Sequence, residues 1–494
     1  MHLRGYGVHS RGQSLNCTGI EASRRKPDAT PPAGSVIIHR FTFKSLFFIL
    51  LGAFRLKRVV LVAIGFVLMS MSLLSFQSCG SSSSKTTPPS RLTNRVLAAQ
   101  GVTSTFTGGG LVFIDGMNDT LARVSELSAG SSPGLMAMSP TRNLLAAFDA
   151  FSNGVYTVNT VTESSVGRVQ LLAPTSSIVV PTAGQVGYAA VPTASMSGFA
   201  FLGAVEVLDL TGSVTTTIGV SNAQTVVANP GGSQLLVFSN DSNSVTVLSP
   251  LNAVPPVDTS CQSAPNSVCT IVTGFDRPVN AVISTNGTTA YILNCGAECG
   301  GTQASVQTLD LASLTVGTPV PVDGATFAFL PGGSSSTLYV AGNSLTNNSC
   351  TGQKTAATKC GRLSTIDLGS MSVTSTIAIT DGYHDHMDMS VNGQLYIGSH
   401  NCTNIGDVNN PSGEVRGCLT ILNTTNNTVI VPPDNGDVNG LQSFTTRNIE
   451  YVAEGGALRV YDTTKNILLI NTDVPLGTIN VVGYVGDVKA IDFF

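Results

Sequence analysis

Leu111-Val-Phe-Ile-Asp115, Val155-Tyr-Thr-Val-Asn159, Val205-Glu-Val-Leu-Asp209 and Val245-Thr-Val-Leu-Ser249 share one pattern: apolar, two free positions, apolar, then Asp, Asn or Ser. Four more copies follow at Val306-Gln-Thr-Leu-Asp310, Leu363-Ser-Thr-Ile-Asp367, Leu419-Thr-Ile-Leu-Asn423 and Leu458-Arg-Val-Tyr-Asp462. From position 111 to position 458 the eight copies make seven steps of about 50 residues each. A repeat of roughly 40–50 residues built from short strands is the sequence mark of a β-propeller.

The segments around each copy fill in the unit. Ahead of it runs a second short strand rich in aromatic or β-branched residues, as in Gln234-Leu-Leu-Val-Phe238, Thr337-Leu-Tyr-Val340 and Gln394-Leu-Tyr-Ile397. A turn of Gly, Pro, Asn and Ser precedes that, as in Asn229-Pro-Gly-Gly232 and Ser390-Val-Asn-Gly393, residues that favour positive or preset φ. A Thr/Val-rich strand follows, as in Ser213-Val-Thr-Thr-Thr-Ile-Gly219. The unit is therefore four antiparallel strands, a to d, with the pattern as strand c. Its terminal Asp or Asn suits the c–d turn, because the side chain can bond the backbone two residues on. The competing arrangement, a tandem of small sandwiches, requires linkers that this even repeat lacks. The fold expected is all-β, a propeller of eight four-stranded antiparallel blades, or seven if an irregular terminal unit is no blade. The first unit, from Arg95, lacks an innermost strand, and Asp487-Val-Lys-Ala-Ile-Asp-Phe-Phe494 is one strand too many. Pairing of these N- and C-terminal strands would close the ring and protect its edges.

The segment Asn229-Pro-Gly-Gly-Ser-Gln-Leu-Leu-Val-Phe-Ser-Asn-Asp-Ser-Asn-Ser-Val-Thr-Val-Leu-Ser249 resembles the YVTN-type (YncE-like) propeller repeat, as do Leu338-Tyr-Val-Ala-Gly-Asn343 and Leu458-Arg-Val-Tyr-Asp-Thr-Thr464. The resemblance covers roughly residues 95–494. It implies the fold and brings no catalytic motif. Two features depart from that repeat: Cys-containing insertions in the b–c turns, and spacings that vary from 39 to 61 residues. The chain has no Trp, which excludes the Trp-Asp blade closure of WD repeats and the Trp motifs of quinoprotein dehydrogenases.

Residues 59–76 are apolar and follow Arg55, Lys57 and Arg58, the form of a secretion signal. Phe76-Gln-Ser-Cys79 resembles a bacterial lipobox, with Phe76 and Gln77 departing from its usual residues, and implies lipidation at Cys79. The expected organisation is an upstream segment 1–54 outside the mature protein, a lipoprotein signal 55–79, a Ser/Pro-rich tether 80–92 and a propeller 93–494. Translation is expected to begin near residue 55. An uncleaved membrane anchor is the alternative, since 18 apolar residues nearly suffice to span. The location implied is the bacterial cell envelope, lipid-anchored in the outer membrane and facing the periplasm or the cell surface.

Cysteine usage agrees with export. Setting aside Cys17 and Cys79, eight of the ten Cys form four close pairs: Cys261/Cys269, Cys295/Cys299, Cys350/Cys360 and Cys402/Cys418. Paired Cys in local loops of an exported protein read as disulfides. Zinc at Cys295 and Cys299 is the competing reading. Before residue 91 the chain carries 11 Lys and Arg against two acids, so the remainder holds 14 basic residues (25 less 11) and 27 acidic ones (29 less two). An acidic propeller argues against nucleic acid as a partner.

Six His occur in the chain, and the three beyond residue 90 fall within 17 residues. His384 and His386 lie in Asp381-Gly-Tyr-His-Asp-His-Met-Asp-Met389, which leads from one strand d into the next strand a, and His400 ends the following strand b. In a propeller the d–a and b–c connections share one face, so the three should meet at one channel mouth. On an extended segment His384, His386 and Asp388 share a side. With His400 they would form a set of ligands for a divalent transition metal. Asp385, Asp407, Asn409, Glu414, Asp434 and Asp437 add oxygen ligands on the same face, without matching a defined calcium loop. The plainer reading makes the Asp and Asn turn residues and the His partners of rim carbonyls. No nucleophile elbow or phosphate loop appears, and the weak catalytic candidates are His384 and His386 as general acid–base. The function expected is a binding or scaffold module contacting its partner, an envelope protein or a small ligand, through residues 381–440. A metal-dependent lyase or hydrolase and a purely structural envelope protein are the alternatives.

Overall fold

The computed structural model describes residues 88–181, 186–249, 259–261, 268–332, 335–345, 360–402, 418–433, 436–472 and 474–492. The upstream segment, the signal with Cys79, most of the tether, and Cys350, Asp407, Asn409, Glu414 and Asp434 lie outside these residues.

The strands form eight sheets, each built on four antiparallel strands, with no α-helix among the described residues. Blade I takes its innermost strand from the C-terminal end of the chain: Tyr484–Ala490 pairs with Arg95–Gly101, followed outward by Gly110–Asp115 and Thr120–Leu121. Val96 faces Ala490 and Ala98 faces Val488 across this seam. Blades II to VI occupy residues 133–170, 177–219, 223–273, 278–321 and 327–379. Blade VII consists of Tyr383–Met389, Gln394–His400, Leu419–Asn423 and Thr428–Ile430, and blade VIII of Val438–Ser443, Ile449–Glu454, Ala457–Asp462 and Ile467–Leu468. The innermost strands pack each on the next around a closed ring. Eight blades and terminal closure are thus as expected.

Among the described residues, seven copies of the pattern bond their c–d turn; the turn after Ser249 lies outside them. Asp115 accepts from Met117, Asn159 from Val161, Asp209 from Thr211, Asp310 from Ser313, Asp367 from Ser370, Asn423 from Thr425 and Asp462 from Thr464, all through backbone N–H groups at 2.7–3.0 Å. The turn closes itself whatever the rest of the blade does, which is why it reads so clearly in the sequence.

The core lies between blades. Phe444, Tyr451 and Val460 of blade VIII meet Val96 and Ile114 of blade I. Tyr396 of blade VII packs edge-on against Tyr461 of blade VIII, ring centroids 6.0 Å apart. Tyr and Phe supply the bulk that a Trp would give, at roughly 1.5–3 kcal/mol for each fully buried large side chain.

One irregularity recurs. In blades I, II, IV, V, VII and VIII the register of strand a against strand b shifts near the start of strand a. A bulge there sets two residues of strand a against one of strand b, bends the strand and re-aims side chains. In blades IV, V, VII and VIII the extra residue is Gln224, Val279, Asp385 and Asn439 in turn. The bulge belongs to the architecture, and what it presents depends on the blade.

Candidate functional site

Blade VII enters its first strand through Gly382, at φ +98°, where an added Cβ would lie 2.5 Å from the His400 carbonyl oxygen. Only glycine combines that backbone with that approach. His384 then pairs with Ser399 and His386 with Gly398, leaving Asp385 as the extra residue. The expected alternation of His384, His386 and Asp388 is broken here. His384 turns into the protein and is fully buried, its Nε2 2.9 Å from the Thr380 carbonyl oxygen. Burial pushes its pKa down to about 4, against the opposing pull of that hydrogen bond and of Asp385 and Asp381. A histidine so placed is neutral at ordinary pH. Neither it nor Asp388 joins the group that the bulge assembles.

That group is Asp385, His386 and His400. His386 Nδ1 is 2.7 Å from Asp385 Oδ1, and His400 Nε2 is 2.9 Å from Asp385 Oδ2. Each protonated ring nitrogen donates to the carboxylate. The two imidazoles stand edge to face with centroids 5.9 Å apart. Asp437, just before the first strand of blade VIII, places Oδ2 3.8 Å from His400 Nδ1, while its Oδ1 accepts from the Asn401 backbone N–H at 2.8 Å. The side chains of His386, His400, Asp385 and Asp437 are 27, 21, 31 and 44 % exposed, so solvent reaches all four. The hydrogen bond to Asp385 raises the His400 pKa above its ordinary value, burial opposing. Burial disfavours the Asp385 carboxylate, yet hydrogen bonds to His386 and His400 hold its pKa below the ordinary value. Burial, then the charges of Asp385 and Glu298, raise the pKa of the rim residue Tyr383.

Asp388 sits further along strand a, toward the a–b turn. Its Oδ2 accepts from the Ser443 N–H of blade VIII at 2.7 Å, and it lines a cleft with Arg142, Gln442 and Asp492. Its role is to tie two blades together. Of the six residues expected as oxygen ligands, the two among the described residues, Asp385 and Asp437, reach the group.

The bridges Cys261–Cys269, Cys295–Cys299 and Cys402–Cys418 are formed, which removes the zinc reading for Cys295 and Cys299. Cys360 is also disulfide-bonded. The second bridge encloses Glu298, whose carboxylate accepts from Asn343 Nδ2 at 2.6 Å and from the Asn343 N–H at 2.9 Å. Asn343 Nδ2 also donates to the Gly382 carbonyl at 2.7 Å. A hydrogen-bonded relay therefore runs from blade V through blade VI to the turn that opens the site. Neither Glu298 nor Asn343 is legible as a site residue in the sequence. Glu298 follows Ala297 inside the short Cys295–Cys299 loop, and Asn343 ends the repeat-like stretch Leu338–Asn343, so neither stands out by a motif of its own.

No family model matches the chain, nor does any curated protein sequence. Among solved structures it is similar to the dihydro-heme d1 dehydrogenase NirN, with a TM-score of 0.54 and 12 % identity over 81 % of this chain and 75 % of that one. It is also similar to the Dos1 propeller, with a TM-score of 0.50 and 10 % identity over 72 % of this chain and 85 % of that one. At these identities the likeness establishes the propeller fold alone.

Proposed function

We propose that the chain is an exported, lipid-anchored propeller of the bacterial cell envelope that acts as a binding module through the face carrying its d–a and b–c connections. The observation that carries this reading is the convergence of Asp385, His386, His400 and Asp437 from two blades, in solvent contact and beside the Cys402–Cys418 bridge. Rigid blades holding adaptable loops are a common way to build a recognition surface. The sequence supports export through the apolar run 59–76, the lipobox-like Cys79 and the paired cysteines. The acidic balance beyond residue 91 favours cationic partners and disfavours nucleic acid.

Two experiments test it. Cys79→Ser should release the protein from the membrane fraction, and retention at wild-type level would remove the lipid anchor. Crosslinking in intact envelopes should yield partner adducts from a probe at Tyr383 and none from a probe at Asn392, in an a–b turn on the opposite face. Equal adducts from both positions would remove this face as the contact surface.

A further inference from the structure

We propose that Asp385, His386 and His400 bind one divalent transition-metal ion of the zinc class, with Asp437 orienting His400 from behind. The proposal goes beyond the binding-module reading and does not depend on it. One carboxylate oxygen and two ring nitrogens lie within 4.8 Å of one another. Two imidazoles with one carboxylate suit zinc and its neighbours, whereas calcium and magnesium take oxygen ligands. Ligand atoms about 2.0–2.2 Å from a tetrahedral ion stand roughly 3.3 Å apart. Here the nitrogens are 2.7 and 2.9 Å from the carboxylate oxygens. Side-chain rotation that opens these two contacts by about half an ångström, and sets the three ligand atoms, already within 4.8 Å of one another, at that spacing, admits the ion. All three ligands come from strands a and b of one blade, so the side toward solvent stays open to water or a ligand, as in zinc sites that keep a free position.

The surroundings match what a metal-bound histidine needs. Its second ring nitrogen commonly faces a carboxylate that fixes tautomer and orientation. Asp437 stands there, 3.8 Å from His400 Nδ1, and is itself held by the Asn401 N–H. The ligands are held on rigid elements: the bulge places Asp385 beside His386, Gly382 packs on the His400 carbonyl, and the Cys402–Cys418 bridge begins two residues past His400. Six blades share the strand-a bulge, but Gly486-Asp487, Gly134-Leu135, Gln224-Thr225, Val279-Asn280 and Asn439-Gly440 put no carboxylate–imidazole pair on it. Blade VII alone among them presents that pair.

The test is equilibrium dialysis of the chelator-stripped full chain against Zn2+, with elemental analysis and with Ca2+ as competitor. Wild type is compared with His386→Gln/His400→Gln and with Asp437→Asn, each checked for its thermal melt. One zinc per chain is expected, undisplaced by Ca2+, with at least a 100-fold weaker affinity in the double variant and a loss of about tenfold in Asp437→Asn. Zinc bound equally by wild type and the double variant would overturn the proposal, as would less than one ion per wild-type chain. Should the double variant fail to fold, the Co2+ form of wild type decides. Intense d–d bands that Zn2+ abolishes support the site, and the spectrum of the hydrated ion overturns it.

Discussion

His400 Nε2 stands 2.9 Å from Asp385 Oδ2, joining the end of strand b to the bulge of strand a in blade VII. This contact is what raises the His400 pKa. Asp385→Asn should therefore lower the His400 pKa, read by NMR titration of its imidazole in chelated buffer. Stability should change by less than about 1 kcal/mol, because the pair is partly solvated. An unchanged His400 titration would show that Asp437 alone sets it.

His384 gives a pH dependence of known sign. Its folded pKa is about 4 and its ordinary value 6.5. Between them the unfolded chain binds more protons than the folded one, so this residue's contribution falls as pH drops from 6.5 toward 4. The full difference amounts to roughly 3 kcal/mol. Asp381 and Asp385 face the ring and already oppose the shift. His400 acts in another window: its raised pKa adds stability as pH falls through that raised value toward 6.5. Urea unfolding of wild type and His384→Leu at pH 7.5, 5.5 and 4.5, with chelator present, isolates the His384 effect. The wild type should lose more stability on acidification, and parallel losses would contradict the assignment.

Ring closure rests on a charged seam. Arg95 meets Asp492 through Nη2 at 2.7 Å and Nε at 2.9 Å, and reaches Glu163 of blade II through Nη1 at 2.9 Å. The guanidinium is nearly buried, and so is Glu163. Arg95→Met leaves two carboxylates without their cation, a change that costs about 3–5 kcal/mol when a buried pair is broken. The urea midpoint should fall with an unchanged m value. A loss under about 1 kcal/mol would mean that the strand pairing of blade I closes the ring unaided.

The bridges should differ in worth. Cys402–Cys418 spans 16 residues and Cys295–Cys299 only four. Chain entropy gives about 3 kcal/mol for a loop of some 15 residues and less for a shorter one. Cys402→Ser/Cys418→Ser should lower the melting temperature more than Cys295→Ser/Cys299→Ser in parallel calorimetry. The reverse order would show that Glu298, held beside the shorter bridge, matters more than loop closure.

Much of the architecture was legible because its causes are local. An Asp or Asn ending strand c bonds its own turn, so the repeat survives in the text and counts the blades. The spare strand at the C-terminal end matched the strand missing from the first unit, and close Cys pairs could reach no distant partner as readily as each other. The site was legible only in part. Tyr383-His-Asp-His-Met387 reads as an alternating strand, and the period of two put His384 with His386. Pairing against Gly398 and Ser399 inserts Asp385, which turns His384 inward and sets Asp385 beside His386.

The sequence by itself determined the repeat, the closure and the cysteine pairing, since each follows from turn chemistry, hydrophobic alternation or short chain separation. The tertiary structure alone decided which histidines face solvent together and that Asp437 of the next blade stands behind His400. Strand register and the distance between blades set those relations, and both arise from packing among residues far apart in the chain.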